Sequence, residues 1–276
     1  MNKTKVLRII NRFNLGGPTY NVGYLSKYME DEFETMLIGG MKDKSEGSSE
    51  FIIEKLGLNP IIIPEMKREI DFKLDRIAYK KIKKIIAVFK PDIVHTHASK
   101  AGAIGRLAAS ETRVPIILHT LHGHVFHSYF GKAKTTLYKQ VEKYLAKKST
   151  KLIAISDIQK KEISGIHKIA PSNKFKVIPL GFDLERFHDN HSEKRSAFRG
   201  KYKVKDNEVA IGIVGRLVPI KNHILFLKGI KYLHDHTPKK IRAFIVGDGE
   251  LRKSVEQNCK DLGLNFGTGE ENKHVT

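Results

Sequence analysis

The chain has 276 residues, 40% of them hydrophobic, and 50 Lys and Arg against 30 Asp and Glu, a formal net charge of +20. That length and apolar content predict one large or two medium domains with real cores and argue against disorder. The single cysteine, Cys259, excludes an intrachain disulfide, and no apolar run approaches the roughly 18 residues that span a bilayer. The N-terminal segment is too short and polar for a signal peptide, since Arg8 interrupts the run 6–10. The expected location is therefore cytoplasmic, at most peripheral at the inner membrane face.

Taken in order, the chain alternates strand-like and helix-like segments. Residues 5–11 read as a strand, followed by a loop containing Gly16 and Gly17 and a helical pattern over 20–30. A strand over 34–38 ends at Gly39-Gly40, a helix over 51–56 stops at Gly57, and 59–64 reads as a strand bounded by prolines. A basic helix ends at Lys90-Pro91, where proline cannot continue it. Residues 92–96 are a buried-strand candidate leading to His97; 101–110 is a helix of small residues, and 114–120 another strand. A second basic helix precedes a strand over 151–155, and Ser156 with Gln159 forms a capping box for the helix that follows. The last strand of this half covers 176–179.

Such alternation predicts an α/β fold, a parallel sheet with helices on both faces and its sites at the carboxyl ends of the strands. The expected domains are an N-terminal one over 1–190, a charged linker over 191–207, and a second, partial one over 208–276. Within the last, 209–214 and 241–246 read as strands and 224–234 and 250–263 as helices.

The positive charge is clustered. One group carries Lys67, Arg68, Lys73, Arg76, Lys80, Lys81, Lys83, Lys84 and Lys90, beside an apolar stripe of Ile77, Ile82, Ile85, Ile86 and Phe89. The other carries Lys132, Lys134, Lys139, Lys143, Lys147, Lys148 and Lys151, with Leu137, Val141, Tyr144 and Leu145 as its stripe. Solvated lysine-rich faces account for both, and the functional alternative is an anionic membrane surface or a lipid diphosphate. Nucleic acid is the least favoured partner, because little aromatic interleaving and no binding motif accompany the lysines.

Seven motifs carry a family resemblance: Gly16-Gly17; Asp92 to His97, with His95; Thr120 to Gly123, with His122; Ala154 to Ser156; Val177 to Phe187; Val214-Gly215-Arg216 with Lys221; and Val246-Gly247-Asp248-Gly249 with Leu251. In this order and spacing the chain resembles the family-4 glycosyltransferases, retaining enzymes of GT-B type with two Rossmann-like parallel-sheet domains. The resemblance implies a nucleoside diphosphate sugar as donor and a cell-surface glycan or lipid-linked acceptor, with no cofactor and no metal. It implies that Gly16, Gly17, Gly215, Gly247 and Gly249 belong to the donor site and that Arg216 and Lys221 clamp its diphosphate. His122, with His97, belongs to the acceptor side and lies near the transferred sugar.

The chemistry of these residues agrees. Two cations close together after a strand can hold a diphosphate whose charge grows as the glycosidic bond breaks. Paired glycines let backbone N–H groups approach a ligand and tolerate unusual backbone angles. The family often has glycine after the lysine, where this chain has Asn222, a residue that also tolerates left-handed angles. His119, His122, His124 and His127 invite a metal test, but Gly123 interrupts them and no acidic or cysteine ligand accompanies them.

The resemblance further implies that the donor domain is incomplete. The family continues to a pair of carboxylates that engage the donor sugar, a role not transferable to Glu270 or Glu271. The alternatives are a catalytically dead acceptor- or partner-binding remnant, a sugar-nucleotide epimerase and a basic nucleic-acid-binding protein.

Overall fold

The computed structural model describes residues 3–14, 16–41, 49–67, 69–123 and 132–267. Arg68, His124, His127, Glu270 and Glu271, named above, lie outside them, as does Leu15 beside the glycine pair. The chain divides into two units, Met1–Asp183 and Leu184–Thr276.

The first unit runs β1 (Thr4–Arg12), α1 (Gly17–Lys27), β2 (Phe33–Gly40), α2 (Glu50–Lys55), β3 (Ile61–Ile62), α3 (Phe72–Phe89), β4 (Ile93–His97), α4 (Ser99–Glu111), β5 (Ile116–Leu121), α5 (Lys132–Lys148), β6 (Lys151–Ala154), α6 (Asp157–Lys161) and β7 (Phe175–Val177). Its seven strands are all parallel, in the order β3-β2-β1-β4-β5-β6-β7. The right-handed crossover rule puts α1 and α2 on one face and α3, α4 and α5 on the other, and the helices touch in those groups. β1 reads as a nearly continuous buried run because both of its faces are covered. β3 is shorter than the segment between the prolines suggested: Pro60 and Pro64 lack the N–H groups a longer ladder needs.

The main core lies between the sheet and α3–α4, with Leu7, Ile9, Ile38, Val94, Ile82 and Ile86 buried. The Asp71 side chain caps α3 by accepting from the N–H groups of Lys73 at 2.9 Å and Leu74 at 3.0 Å. These N–H donors, that of Leu74 foremost, hold its carboxyl below the usual range. α4 is rich in small residues because it lies hard against the sheet. A Cβ on Gly105 would sit 2.7 Å from the Thr96 methyl group, and one on Gly102 2.5 Å from the His119 ring. At α6, Ser156 accepts from Gln159 N–H at 3.2 Å as expected, but the Gln159 side chain returns to the N–H of Ile155, one residue earlier than a regular capping box.

The apolar stripe of α5 is split between core and solvent. Leu145 of the stripe, with Ala146 beside it, faces the core, but its other three residues point outward: Leu137 is 65%, Val141 42% and Tyr144 54% exposed. The inner face of α5 is instead held by Glu142, which takes a bidentate ion pair from the buried Arg106 of α4. No described helix is long and apolar enough to cross a membrane.

The second unit comprises α7 (Glu185–His188), α8 (His191–Lys201), β8 (Glu208–Val214), α9 (His223–His236), β9 (Lys240–Val246) and α10 (Arg252–Asp261), with β8 and β9 parallel. The division at Asp183 falls earlier than the expected boundary at residue 190, and the segment expected to be a linker over 191–207 is largely the helix α8. Its charges masked an aromatic anchor: Phe198 and Tyr202 pack against Phe244 of β9 with ring centroids 5.1 and 5.5 Å away. A partly buried ion pair, Arg242 to Glu208 at 2.9 Å, ties the two strands together.

Candidate functional site

In the first unit the strand order reverses between β1 and β4, so the loops leaving these strands diverge and open a crevice at their carboxyl ends. The β1 loop brings Gly16 and Gly17 there, at the start of α1; β4 ends at His97, and His122 follows β5. Gly16 has an extended φ of 166° and serves as the N-cap of α1, so the expectation of unusual backbone angles at the glycine pair is corrected for Gly16. A Cβ on Gly17 would meet nothing within 4 Å. The irregular residue is Ala98, with φ 66° and ψ 158°, conformational strain of order 1–3 kcal/mol placed directly after His97.

A hydrogen-bonded chain of buried side chains leads to this edge. Arg8 Nη1 donates to His95 Nδ1 at 2.9 Å, so the His95 proton sits on Nε2 and is donated to Thr120 Oγ1 at 2.8 Å. The His97 ring lies 4.1 Å from that of His95, and its Nδ1 is 3.0 Å from His122 Nε2, one nitrogen donating to the other. Burial lowers the pKa of His95, with Arg8 adding to the effect, and that of His97, with His95 adding to it. Burial brings His122 down to about 4. At neutral pH all three rings are uncharged, which makes the contact between His97 and His122 favourable. His97 Nε2 and His122 Nδ1 remain buried and without partners among the described residues.

His119, two positions beyond Ile117 on β5, belongs to the opposite face. Its Nδ1 lies 2.9 Å from Thr96 Oγ1, whose hydroxyl donates to Leu118 O, so the ring nitrogen supplies the proton. His119 and His122 thus point to different sides of the sheet and do not form one ligand set. Sequence reasoning missed Arg8, read only as an interruption of an apolar run, and Thr120, read only as part of a motif. A charge inside a strand buried on both faces was the available signal.

In the second unit, the loops after β8 and β9 are joined by their backbones. Leu217 N–H donates to Asp248 O at 2.9 Å, and Leu251 N–H to Leu217 O at 3.0 Å. Gly247 has φ 146°, and a Cβ there would lie 2.0 Å from Gly215 O; at Gly249 a Cβ would lie 2.6 Å from Leu217 O. Both contacts are with backbone and cannot yield. Gly247→Ala is therefore expected to destabilise this unit by at least the roughly 1–3 kcal/mol of backbone strain. Gly229→Ala, in the middle of α9 where a Cβ meets nothing within 4 Å, should be neutral or stabilising. Hydrogen exchange of the β8 and β9 amides separates the two, and unchanged protection in Gly247→Ala would refute the packing.

The stem of Lys221 lies over Gly215, with Cε 3.6 Å from where a Cβ would be. Arg216 and Lys221 are exposed and form no ion pair among the described residues. Asn222 adopts the left-handed conformation, φ 49° and ψ 51°, that glycine would supply, and starts α9. Behind it His223 is buried with both ring nitrogens unpartnered among the described residues, a feature that sequence reasoning missed. Gly215, Lys221, Gly247 and Gly249 are thus brought together, as are His97 and His122; the two groups belong to different units.

The family model of Glycosyltransferase Family 4 matches residues 15–186, well over half of the chain. The chain belongs to Glycosyltransferase Family 4. Among curated relatives, it is 36% identical over 206 residues to an Escherichia coli UDP-Gal:alpha-D-GlcNAc-diphosphoundecaprenol alpha-1,3-galactosyltransferase, covering 73% of this chain and 52% of that protein. The chain spans about half the length of the curated relatives it matches first. Among solved structures, a glycosyltransferase from Rickettsia africae superimposes with a TM-score of 0.70 at 19% identity, covering 100% of this chain and 68% of that one. A UDP-GlcNAc 2-epimerase from Neisseria meningitidis gives 0.62 at 16% identity, covering 99% and 72%. The structural likenesses establish the α/β fold of GT-B type, shared by both kinds of enzyme, and the family match distinguishes between them.

Proposed function

We propose that this Family 4 chain serves a retaining sugar transfer from a nucleoside diphosphate sugar, with a UDP-sugar as the first candidate, to a lipid-linked or polysaccharide glycan at the cytoplasmic face of a membrane. The observation that carries this reading is the joined β8–β9 loop pair bearing Arg216 and Lys221, two exposed cations without ion-pair partners among the described residues. The name of the E. coli relative, which specifies a UDP-galactose donor and a diphosphoundecaprenol-linked acceptor, supports the substrate classes.

In this reading, Arg216 presents a planar fork to the phosphate oxygens and Lys221 a point charge. Negative charge grows on the diphosphate as the glycosidic bond breaks, so these fixed cations favour the transition state over the bound donor. Gly16 and Gly17, at the positive end of α1, offer backbone N–H groups to the same kind of anion. His122 is neutral at pH 7, because burial lowers its pKa to about 4, and it hydrogen-bonds a sugar hydroxyl rather than donating a proton in a charged form. His97 holds the ring of His122 in place through their shared hydrogen bond. No side chain is assigned as a nucleophile: retention follows from the departing diphosphate assisting attack on its own face. The chain's cations, not a metal, take up the leaving-group charge.

Ligand-observed NMR against UDP, GDP and ADP tests the reading. UDP should bind selectively, and Arg216→Ala should weaken it about ten- to a hundredfold, the loss of a charge-assisted contact of about 1.5–3 kcal/mol. No nucleotide binding, or UDP binding indifferent to Arg216→Ala, would overturn it.

A further inference from the structure

The outward stripe of α5 has no role in the nucleotide or sugar chemistry. Leu137, Val141 and Tyr144 recur at helical spacing along the exposed side of the helix, over about 10 Å of its length at 1.5 Å per residue. α5 contains six lysines and one acidic residue, Glu142, and that carboxylate is turned inward to Arg106. Its outer surface is thus apolar and cationic, with no described carboxylate of its own to neutralise it.

Beside the C-terminal half of α5 lies an open groove of about 630 Å³, bounded by α5 on one side and the Ser164–Lys174 segment on the other. Lys143 and Lys147 reach it from α5, and Lys168 and Lys174 from the opposite wall; Tyr144 and Ile169 provide apolar lining. None of these four lysines has an ion-pair partner among the described residues. Ile166, between Ser164 and Lys168 in the chain, is 68% exposed. Tyr144 belongs to both the stripe and the groove lining, so the two meet there, and Lys148 sits over its ring, 4.9 Å from the centroid.

We propose that this groove and the α5 stripe form a docking surface for the anionic phospholipid headgroups of a bilayer. The lysines meet the lipid phosphates while their stems, together with Leu137, Val141 and Tyr144, enter the headgroup–acyl boundary. Charge complementarity selects an anionic surface, and the apolar stripe selects a bilayer over a nucleic acid, which would engage the lysines and leave the stripe in water. The surface locates the membrane contact included in the proposed function and rests on that reading only for its biological purpose.

Vesicle sedimentation of the whole chain tests it, using vesicles of phosphatidylglycerol with phosphatidylcholine, phosphatidylcholine vesicles, and a DNA duplex as competitor. The chain should bind the anionic vesicles and not the neutral ones. Lys143→Glu/Lys147→Glu should weaken that binding more than tenfold, since each lysine near the surface contributes appreciably. Leu137→Ser/Val141→Ser should weaken it while leaving the charge unchanged. All four positions avoid the buried core, and circular dichroism checks that the variants fold. Unchanged vesicle binding in both variants, equal binding to neutral vesicles, or full displacement by DNA overturns the proposal. UDP binding is measured on the same samples. Loss of vesicle binding with UDP binding intact in the variants supports the assignment. Wild-type protein that binds UDP but no vesicles refutes the docking surface alone, and one that binds vesicles but no nucleotide refutes the donor reading alone.

Discussion

Glu142→Ala should lower the melting temperature of the first unit by about 6–20 °C. Arg106 is 0% exposed, and Glu142 is 12% exposed. The pair is bidentate, with Nη1 to Oε1 at 2.7 Å and Nη2 to Oε2 at 3.0 Å, while Arg106 Nε donates to Gly102 O at 2.8 Å. Removing the carboxylate leaves a buried guanidinium without its counter-charge, a loss of about 3–5 kcal/mol. For a unit of this size each kcal/mol shifts the melting point by about 2–4 °C. The double variant Arg106→Met/Glu142→Leu removes both charges and should recover much of the loss, because an apolar pair needs no desolvation of ions. A thermal melt of both variants decides. If Glu142→Ala melts with the wild type, the pair is solvated and α5 is held by its apolar contacts alone.

Mild acid should destabilise the same unit steeply. His95, His97 and His119 are held well below the ordinary histidine range, in each case by burial first, and His122 is brought down to about 4. Below pH 6.5 the unfolded chain takes up protons that these rings in the folded state refuse. Stability is therefore fully present above pH 6.5 and is lost as pH falls through that value, for His122 continuing to about pH 4. Each ring contributes a slope of up to about 1.4 kcal/mol per pH unit over this window. Carboxylates of this unit with lowered pKa, such as Asp71 and Glu111, lose their contribution only at lower pH, so the histidines dominate between pH 6.5 and 5. Urea midpoints at pH 7, 6 and 5 should fall progressively, and a flat profile would mean that the rings protonate within the folded protein.

The alternation of strands and helices was legible because most strands are short runs rich in β-branched and apolar residues, several of them bounded by glycine or proline, and periodicity reports such elements directly. The parallel sheet followed from that alternation. The motif residues were also legible, since Gly247 and Gly249 are glycine for a local reason: a backbone oxygen occupies the space a Cβ would need. Asn222 met its expectation for the same kind of reason, being in the left-handed region. Where the reading failed, the deciding partner lay far away in sequence. The 191–207 segment looked like a linker because its charges outnumber its apolar residues, yet Phe198 finds Phe244 on β9. The α5 stripe was legible by spacing, but the side it faces was not: Leu145 goes to the core while Leu137 and Val141 stay exposed, and Glu142 turns inward to Arg106 of α4.

The sequence by itself determined which residues carry polar chemistry at the ends of strands, because strand-end loops and glycine requirements are encoded within a few neighbouring residues. Only the tertiary structure decided how those residues are held. Strands β1, β4 and β5 are distant in the chain, and their alignment in parallel register sets Arg8 against His95 and His97 against His122. Hydrogen bonds between aligned strands fix which ring nitrogens carry protons, and burial beneath the helices keeps those rings neutral. Both depend on contacts across the sheet that no local pattern records.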